Sequence, residues 1–429
     1  MEKNRRLSTS LTDNRFGTWG WSMIFYTMIL YFFYAAITTD GMNLIPNAFA
    51  AAHGWDATVL LSAATPAGLI GLVGGFVFGR LVIKTKPRNM SGFALIITGI
   101  LYALLGFVPS VTLYIVDLCV ICFFASGFGT AACPAFIANW FPRKKGIALG
   151  WATMGAPISS SAFVAGFSVL LATKGIHTAF MIFGIFAVII GIITFFWAKN
   201  EPADVNFLPD NMELDEDIAT QEVHVDNEKF SIKNILKNKN TWLIIFGYGL
   251  LWMVLVGIIA QFVPRMMSVG YSNGEALMFM TITSIIAIPG SYLWGWLDSK
   301  FGTKIITIIF AISYIAALIL LITSFNIVCV WLGCIFAGLG IGGLLNLLAS
   351  MIISQFGREG FMSANSIIYP LANVVRTFAF VLMGVLLTIS QGSFTLPYIV
   401  FIFLDIAGAI IIMFIPYKKP KKMEEAAKA

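Results

Sequence analysis

Apolar residues in this chain do not alternate or keep to one helical stripe. They run on in long blocks separated by short polar turns. A bilayer core is crossed by about 20 apolar residues in a helix. The blocks predict helices over 20–47, 57–84, 89–109, 111–140, 145–172 and 177–198, and again over 241–264, 275–297, 303–324, 326–354, 361–390 and 394–416. Between the two sets lies a hydrophilic stretch, 199–240, acidic between Glu201 and Glu228 and basic at Lys229–Lys239. It reads as a tether joining two units, 1–198 and 241–429. Its end, with Phe230, Ile232, Ile235 and Leu236, predicts a short amphipathic helix on a membrane surface.

The second unit repeats the first at an offset near 215 residues. Gly79-Arg80-Leu81 and the basic stretch to Arg88 fall opposite Gly295-Trp296-Leu297 and the stretch to Lys304. Phe141-Pro142-Arg143 falls opposite Phe356-Gly357-Arg358, Gly127 opposite Gly342, and His53-Gly54-Trp55-Asp56 opposite Val269-Gly270-Tyr271-Ser272. Six helices repeated in one orientation is the plan of transporters whose halves rock about a midplane site. The expected fold is an all-α membrane protein: twelve transmembrane helices in two six-helix pseudo-symmetric bundles.

Composition supports this solvent. Hydrophobic residues make up 59% of the chain and charged residues 11%, too few to clothe a soluble core of this size. Of the 27 Lys and Arg, all but Lys174, Arg265 and Arg376 fall on one side of the predicted membrane. The positive-inside rule then places both termini and the central loop in the cytoplasm, with the chain in the cell membrane. Lys3, Arg5, Arg6 and Arg15 precede the first span without a small-residue cleavage site, so that span is expected to be retained. Orientation accounts for the basic residues without nucleic acid.

Catalytic chemistry finds no footing. Cys119 and Cys122 lie at turn spacing inside one span, without a His or second Cys pair nearby, and read as small buried helix residues. His53, His177 and His224 are the only histidines, and no metal spacing, nucleophilic triad or phosphate loop occurs. Gly338 to Gly343 matches a dinucleotide fingerprint by letter, but inside an apolar span with no strand before it. Neither an enzyme nor a cofactor or metal is expected. Gly71, Gly75 and Gly79 repeat every four residues, which suits close helix packing.

The turn from Gly295 to Lys304 resembles the signature loop of the major facilitator superfamily, with its acid, Asp298, one place early; the copy from Gly79 to Arg88 lacks the acid. The segment 139–155, with Asn139-Trp140-Phe141-Pro142, a basic cluster Arg143-Lys144-Lys145, then Ala and Gly at helical spacing, is similar to the fifth-helix signature of monocarboxylate porters and the related oxalate:formate antiporters. Phe16-Gly17-Thr18-Trp19-Gly20-Trp21 is similar to the entry into their first helix. The resemblance implies small organic anions as substrates. The Asp and Arg that the better-known porters carry in helix eight are absent between Ser284 and Pro289. In the superfamily the signature loop often locks a cytoplasmic gate, here with Asp298, Arg80 and Arg143 as the candidates.

A charge near the bilayer centre costs roughly 2.5–3.5 kcal/mol on insertion scales, so an ionisable residue inside a span points to function. Arg376 lies about 22 Å along helix eleven at 1.5 Å per residue, with Asn373, Tyr369 and Asn365 on its face. A guanidinium beside amide and phenol groups is suited to holding a carboxylate in two parallel hydrogen bonds. Pairing with a neighbouring Asp is the structural alternative. In the repeat, Arg376 falls opposite Ser161, so this charge belongs to one half only. Asp40, in the outer part of helix one with Asn43 one turn on, is the first candidate for a coupling proton and an alternative partner for Arg376. Asp117 is a further candidate for the coupling proton, and Asp405 is a further acid that could serve transport or pair between helices; Asn43 and, on expected cavity helices, Gln261 and Asn346 are candidate substrate contacts, and Arg265 marks the outer end of helix seven.

These residues point to a secondary transporter of a small or amphipathic organic monoanion. Its partners would be the anion, protons or an exchanged anion, and the lipid bilayer, with one copy expected to suffice. Anion exchange of the oxalate:formate type, export of lipophilic or cationic compounds on Asp40, and a non-transporting receptor on the same fold are the alternatives.

Overall fold

The computed structural model describes residues 7–8, 10–212, 230–323 and 326–416. Among these residues nine rods are long and apolar enough to cross a membrane, and no strand occurs. Three of the rods are helical hairpins, which makes twelve spans. The first breaks at Lys86 (φ 64°, ψ 152°), directly before Pro87, whose ring disfavours helical geometry in its predecessor. The other two break at Gly175 (φ 76°) and Gly357 (φ 68°), in the left-handed region that glycine enters without a Cβ penalty.

The helices are α1 (17–53), α2 (57–85), α3 (87–105), α4 (Val111–Trp140), α5 (145–174) and α6 (176–197), then α7 (Lys239–Ser268), α8 (Asn273–Phe301), α9 (Thr303–Ile322), α10 (327–356), α11 (358–389) and α12 (Thr395–Met413). All twelve fall within a few residues of the hydropathy blocks. The short surface helix is present as Ile232–Lys237, capped by Ser231, with Ile235 buried and Phe230 packed against Gly360 of α11.

Phe93, Phe196, Phe403 and Phe414 are each more than 60% exposed, at 61%, 78%, 66% and 68%. Such surface is unfavourable in water by about 25 cal/mol per Å² and carries no such penalty against lipid tails. Within bundles, small residues let backbones approach. A Cβ on Gly99 of α3 would sit 2.7 Å from the Gly184 carbonyl of α6, and one on Gly74 of α2 would sit 2.5 Å from the Phe123 carbonyl of α4.

The bundles meet through two symmetry-related helix pairs. α2 packs on α11, with Gly75 against Pro370 and Gly79 against Ser366, and α5 packs on α8, with Gly146 and Gly150 against Gly295. These glycines lie toward the end carrying the basic turns at Arg88, Arg143–Lys144 and Arg358, called the basic end below.

Candidate functional site

Arg376 sits where the two bundles face each other. Its guanidinium lies over the Trp252 ring of α7, 5.3 Å from the centroid, and Nη1 donates to Asn373 Oδ1 at 2.9 Å. Asn373, three residues earlier and hence on the same face, is oriented by its own Nδ2 donating to the Tyr369 carbonyl at 2.9 Å. Tyr369 packs edge-on to Trp252 at 5.3 Å. From the other bundle comes Tyr34 of α1, whose phenol lies beside Tyr369 and within electrostatic reach of Arg376. Its ring lies on Gly129 of α4, where a Cβ would come within 2.0 Å of it. The half-buried guanidinium has no carboxylate partner among the described residues. A guanidinium has five N–H donors, and Asn373 takes one. What remains is a cation on an aromatic wall with spare donors, chemistry suited to an oxyanion.

Asp40 is not the partner of Arg376. It closes a π-turn, Ala36–Asp40, in α1, opposite a second π-turn, Ser159–Phe163, in α5. The Ser159 hydroxyl donates to Asp40 Oδ2 at 2.6 Å and the Ser160 hydroxyl to Oδ1 at 2.9 Å. The carboxylate is only 7% exposed. An extra residue in a helical turn re-aims side chains, and such turns gather at functional sites. Here they bring one acid and two hydroxyls together inside the first bundle.

The expected gate trio of Asp298, Arg80 and Arg143 does not assemble. Asp298 is buried and accepts from Ser350 Oγ at 2.5 Å, and the cation facing it is Lys145. The Lys145 ammonium donates to the Ser350 carbonyl at 2.8 Å and to the Ser354 hydroxyl, so α5 is tied to α8 and α10. The Ile147 amide adds a bond to Ser299 Oγ at 2.9 Å. Arg80 Nη2 is buried with no hydrogen-bond partner among the described residues. Arg143 turns to Asp210, with Nε 3.2 Å from Oδ2. Arg143 lies in the turn before α5, which aims it at Asp210, while Lys145, the first helical residue, faces α8.

Asp210 caps the start of α5, accepting from the Lys144 amide at 2.8 Å and the Arg143 amide at 3.2 Å. Burial pushes its carboxyl up from the ordinary value, against the pull of the Lys144 amide and Arg143. Residues 199–212 are therefore docked, where a tether was expected. The segment before α1 docks beside them. The Lys144 ammonium binds the Asp13 carboxylate and its carbonyl. Burial pushes the Asp13 carboxyl up, but bonds from Lys144, Ser8 and the Arg15 amide outweigh it and hold the group below its ordinary range. Asn14 then bridges the bundles: its Oδ1 accepts from Trp151 Nε1 of α5 at 3.1 Å, and its Nδ2 donates to the Tyr292 hydroxyl of α8 at 3.2 Å.

The remaining candidates lie elsewhere. Asn346 donates to the Ser291 carbonyl at 2.9 Å and clamps α10 to α8. Asn365 donates to the Thr130 carbonyl of α4 at 3.0 Å, a bond between bundles. Arg265 caps α9 through the Leu321 and Ile322 carbonyls. Asp117 has one buried oxygen with no hydrogen-bond partner, and no hydrogen bond joins Gln261 to the Arg376 cluster among the described residues. The side chain of Asn43 lies outside the described residues. Sequence reasoning missed Tyr34, Trp252, Lys145 and the Ser159–Ser160 pair. Lys145 was legible only as one of a basic cluster and the serines as a run of three hydroxyls in an apolar span, while the two aromatics carried no signal.

Comparison with known proteins agrees with this architecture. The chain is 29% identical over 280 residues to a hexose-6-phosphate:phosphate antiporter of Salmonella typhimurium, covering 59% of each chain. It is 23% identical over 261 residues to a glycerol-3-phosphate transporter of Haemophilus influenzae, covering 54% of this chain and 53% of that one. The chain thus spans between half and three-fifths of these relatives' length. Among solved structures, the proton:xylose symporter XylE superposes with a TM-score of 0.72 at 15% identity, covering 93% of this chain and 96% of that one. The model of the Major Facilitator Superfamily matches residues 22–379, from α1 to within α11. With twelve spans, a bundle repeated in one orientation and that match, the chain belongs to the Major Facilitator Superfamily.

Proposed function

We propose that this chain carries a small organic monoanion, a monocarboxylate, across the cell membrane by alternating access, with the anion on Arg376 and a coupling proton on Asp40. The observation that carries the reading is the guanidinium without a carboxylate partner, set against Trp252 and Asn373 between the bundles. One fixed cation neutralises one negative charge, so a monoanion fits it best. Glycerol-3-phosphate and hexose-6-phosphate, the substrates named for two relatives, are also organic anions. The positive-inside rule supports cytoplasmic termini and makes the basic end the cytoplasmic end. The closed contact between α5 and α8 then favours a state open to the outside.

A second reading is exchange of a phosphorylated substrate, favoured by the phosphate antiporter among the relatives. It would leave the second charge of a phosphate ester unmatched at Arg376. Counterflow into proteoliposomes separates the two. A labelled monocarboxylate should enter, accelerate with acid outside, and fail to enter with Arg376→Gln. Uptake of a sugar phosphate against internal phosphate, with no response to pH, would favour exchange. Undiminished transport by the variant would make Arg376 structural and favour export of cations on Asp40.

A further inference from the structure

The acid at the centre of α12 is left without a role by the sites above. Asp405 is the eleventh of the nineteen residues of α12, midway along a span. It is 0% exposed, and both carboxylate oxygens lack a hydrogen-bond partner among the described residues. An ionised carboxylate buried without a partner is strongly disfavoured in hydrocarbon surroundings, so the group is accounted for only by neutralisation.

Two further polar groups nearby share this condition. The hydroxyls of Tyr314 on α9 and Tyr398 on α12 are fully buried and unbonded among the described residues. Tyr314 lies within electrostatic reach of both Asp405 and Tyr398. Tyr398 precedes Asp405 by seven residues, two turns on the same face of α12, toward the end opposite the basic one. Phe394 and the Arg265 guanidinium stand at that end, 6.0 Å apart, with Arg265 in electrostatic reach of Tyr398.

Among the described residues no other charged group lies in electrostatic reach of the cluster. On α7, the Tyr248 hydroxyl is already bonded to Thr307 and to the Leu347 carbonyl. The positive charge of Arg265 works against a metal cation here, whereas a proton removes the buried charge altogether. Asp40 differs, since each of its oxygens accepts from a serine.

We infer that Asp405, Tyr314 and Tyr398 form a second proton-binding site, in the core of the second bundle and separate from the Arg376 cluster. The proton enters from the end opposite the basic one, past the two phenols, and forms an O–H bond on a carboxylate oxygen of Asp405. No other bond changes. Filling the site lets α12 stay packed on α7 and α9, and emptying it places a charge between those helices.

Infrared difference spectra of the protein in lipid vesicles, acid minus alkaline buffer, test this directly. A protonated-carboxyl band is expected that is lost in Asp405→Asn, kept in Asp40→Asn and Arg376→Gln, and shifted in frequency in Tyr314→Phe. A band that persists unchanged into alkaline buffer would make Asp405 a permanently neutral structural acid and overturn the site. So would a band lost with Asp40→Asn, or one indifferent to Tyr314→Phe. Should Asp405→Asn fail to fold, the Tyr314→Phe shift and the persistence under Asp40→Asn still decide.

Discussion

At the scale of single residues, Arg376 is more than a charge. Its guanidinium is planar and lies on Trp252, and Asn373 sets its rotation. Arg376→Lys keeps the charge and loses both the flat contact and the two-pronged donor. Transport kinetics should therefore show a KM raised at least about tenfold, with a smaller change in maximal rate. Asn373→Ala removes a hydrogen bond to a charged group, worth about 1.5–3 kcal/mol, so KM should rise roughly ten- to hundredfold. An unchanged KM in either variant would place the substrate elsewhere. For Asp40→Asn, a proton gradient should no longer drive accumulation while counterflow persists. The Arg376 and Asp40 candidates were legible because a charge inside an apolar block stands out. Trp252 and Tyr34 were not, because the chain holds 11 Trp and 12 Tyr and aromatics are ordinary packing residues in a membrane span.

Among the elements, the start of α5 is the busiest. Three consecutive basic residues there take three different partners: Arg143 takes Asp210, Lys144 takes Asp13, and Lys145 faces Asp298. The cluster was visible in the sequence, but its division was not, since partner choice depends on where a turn aims each side chain. The segment before α1 reaches across the bundles through Asn14, Trp151 and Tyr292. Asn14→Ala should loosen the basic end, read as faster labelling of a cysteine placed at Ser299 by a reagent on the basic-loop side; a labelling rate equal to that of the parent would remove Asn14 from the latch. The Asp13 carboxyl is held below its ordinary value, so its stabilising bond to Lys144 is present above that value and lost only as pH falls through the lower one. That window lies below the physiological range. Disrupting the pair with Asp13→Asn should therefore leave the physiological pH profile of transport unmoved, with the pH dependence arising elsewhere.

For the whole molecule, closure at the basic end rests on backbone meeting backbone. A Cβ on Gly295 would come within 2.3 Å of the Gly146 carbonyl, a gap no rotamer relieves. Overpacking of this kind costs about 1–3 kcal/mol, set here against the closed arrangement alone. Gly295→Ala should keep its helical content while losing transport, with the population moved about five- to hundredfold toward the state open at the basic end. Spin-label distances between α5 and α8 check it, and parental distances would refute the packing argument. The sequence by itself determined the solvent, the twelve spans and the repeat, because long apolar blocks are a one-dimensional property that a bilayer reads directly. The tertiary structure alone decided which groups meet: Tyr34 with Tyr369, Asp40 with Ser159 and Ser160, Lys145 with Asp298. Those contacts lie between helices far apart in the chain, and hydropathy does not encode which face of a span turns inward once every face is apolar enough to meet lipid.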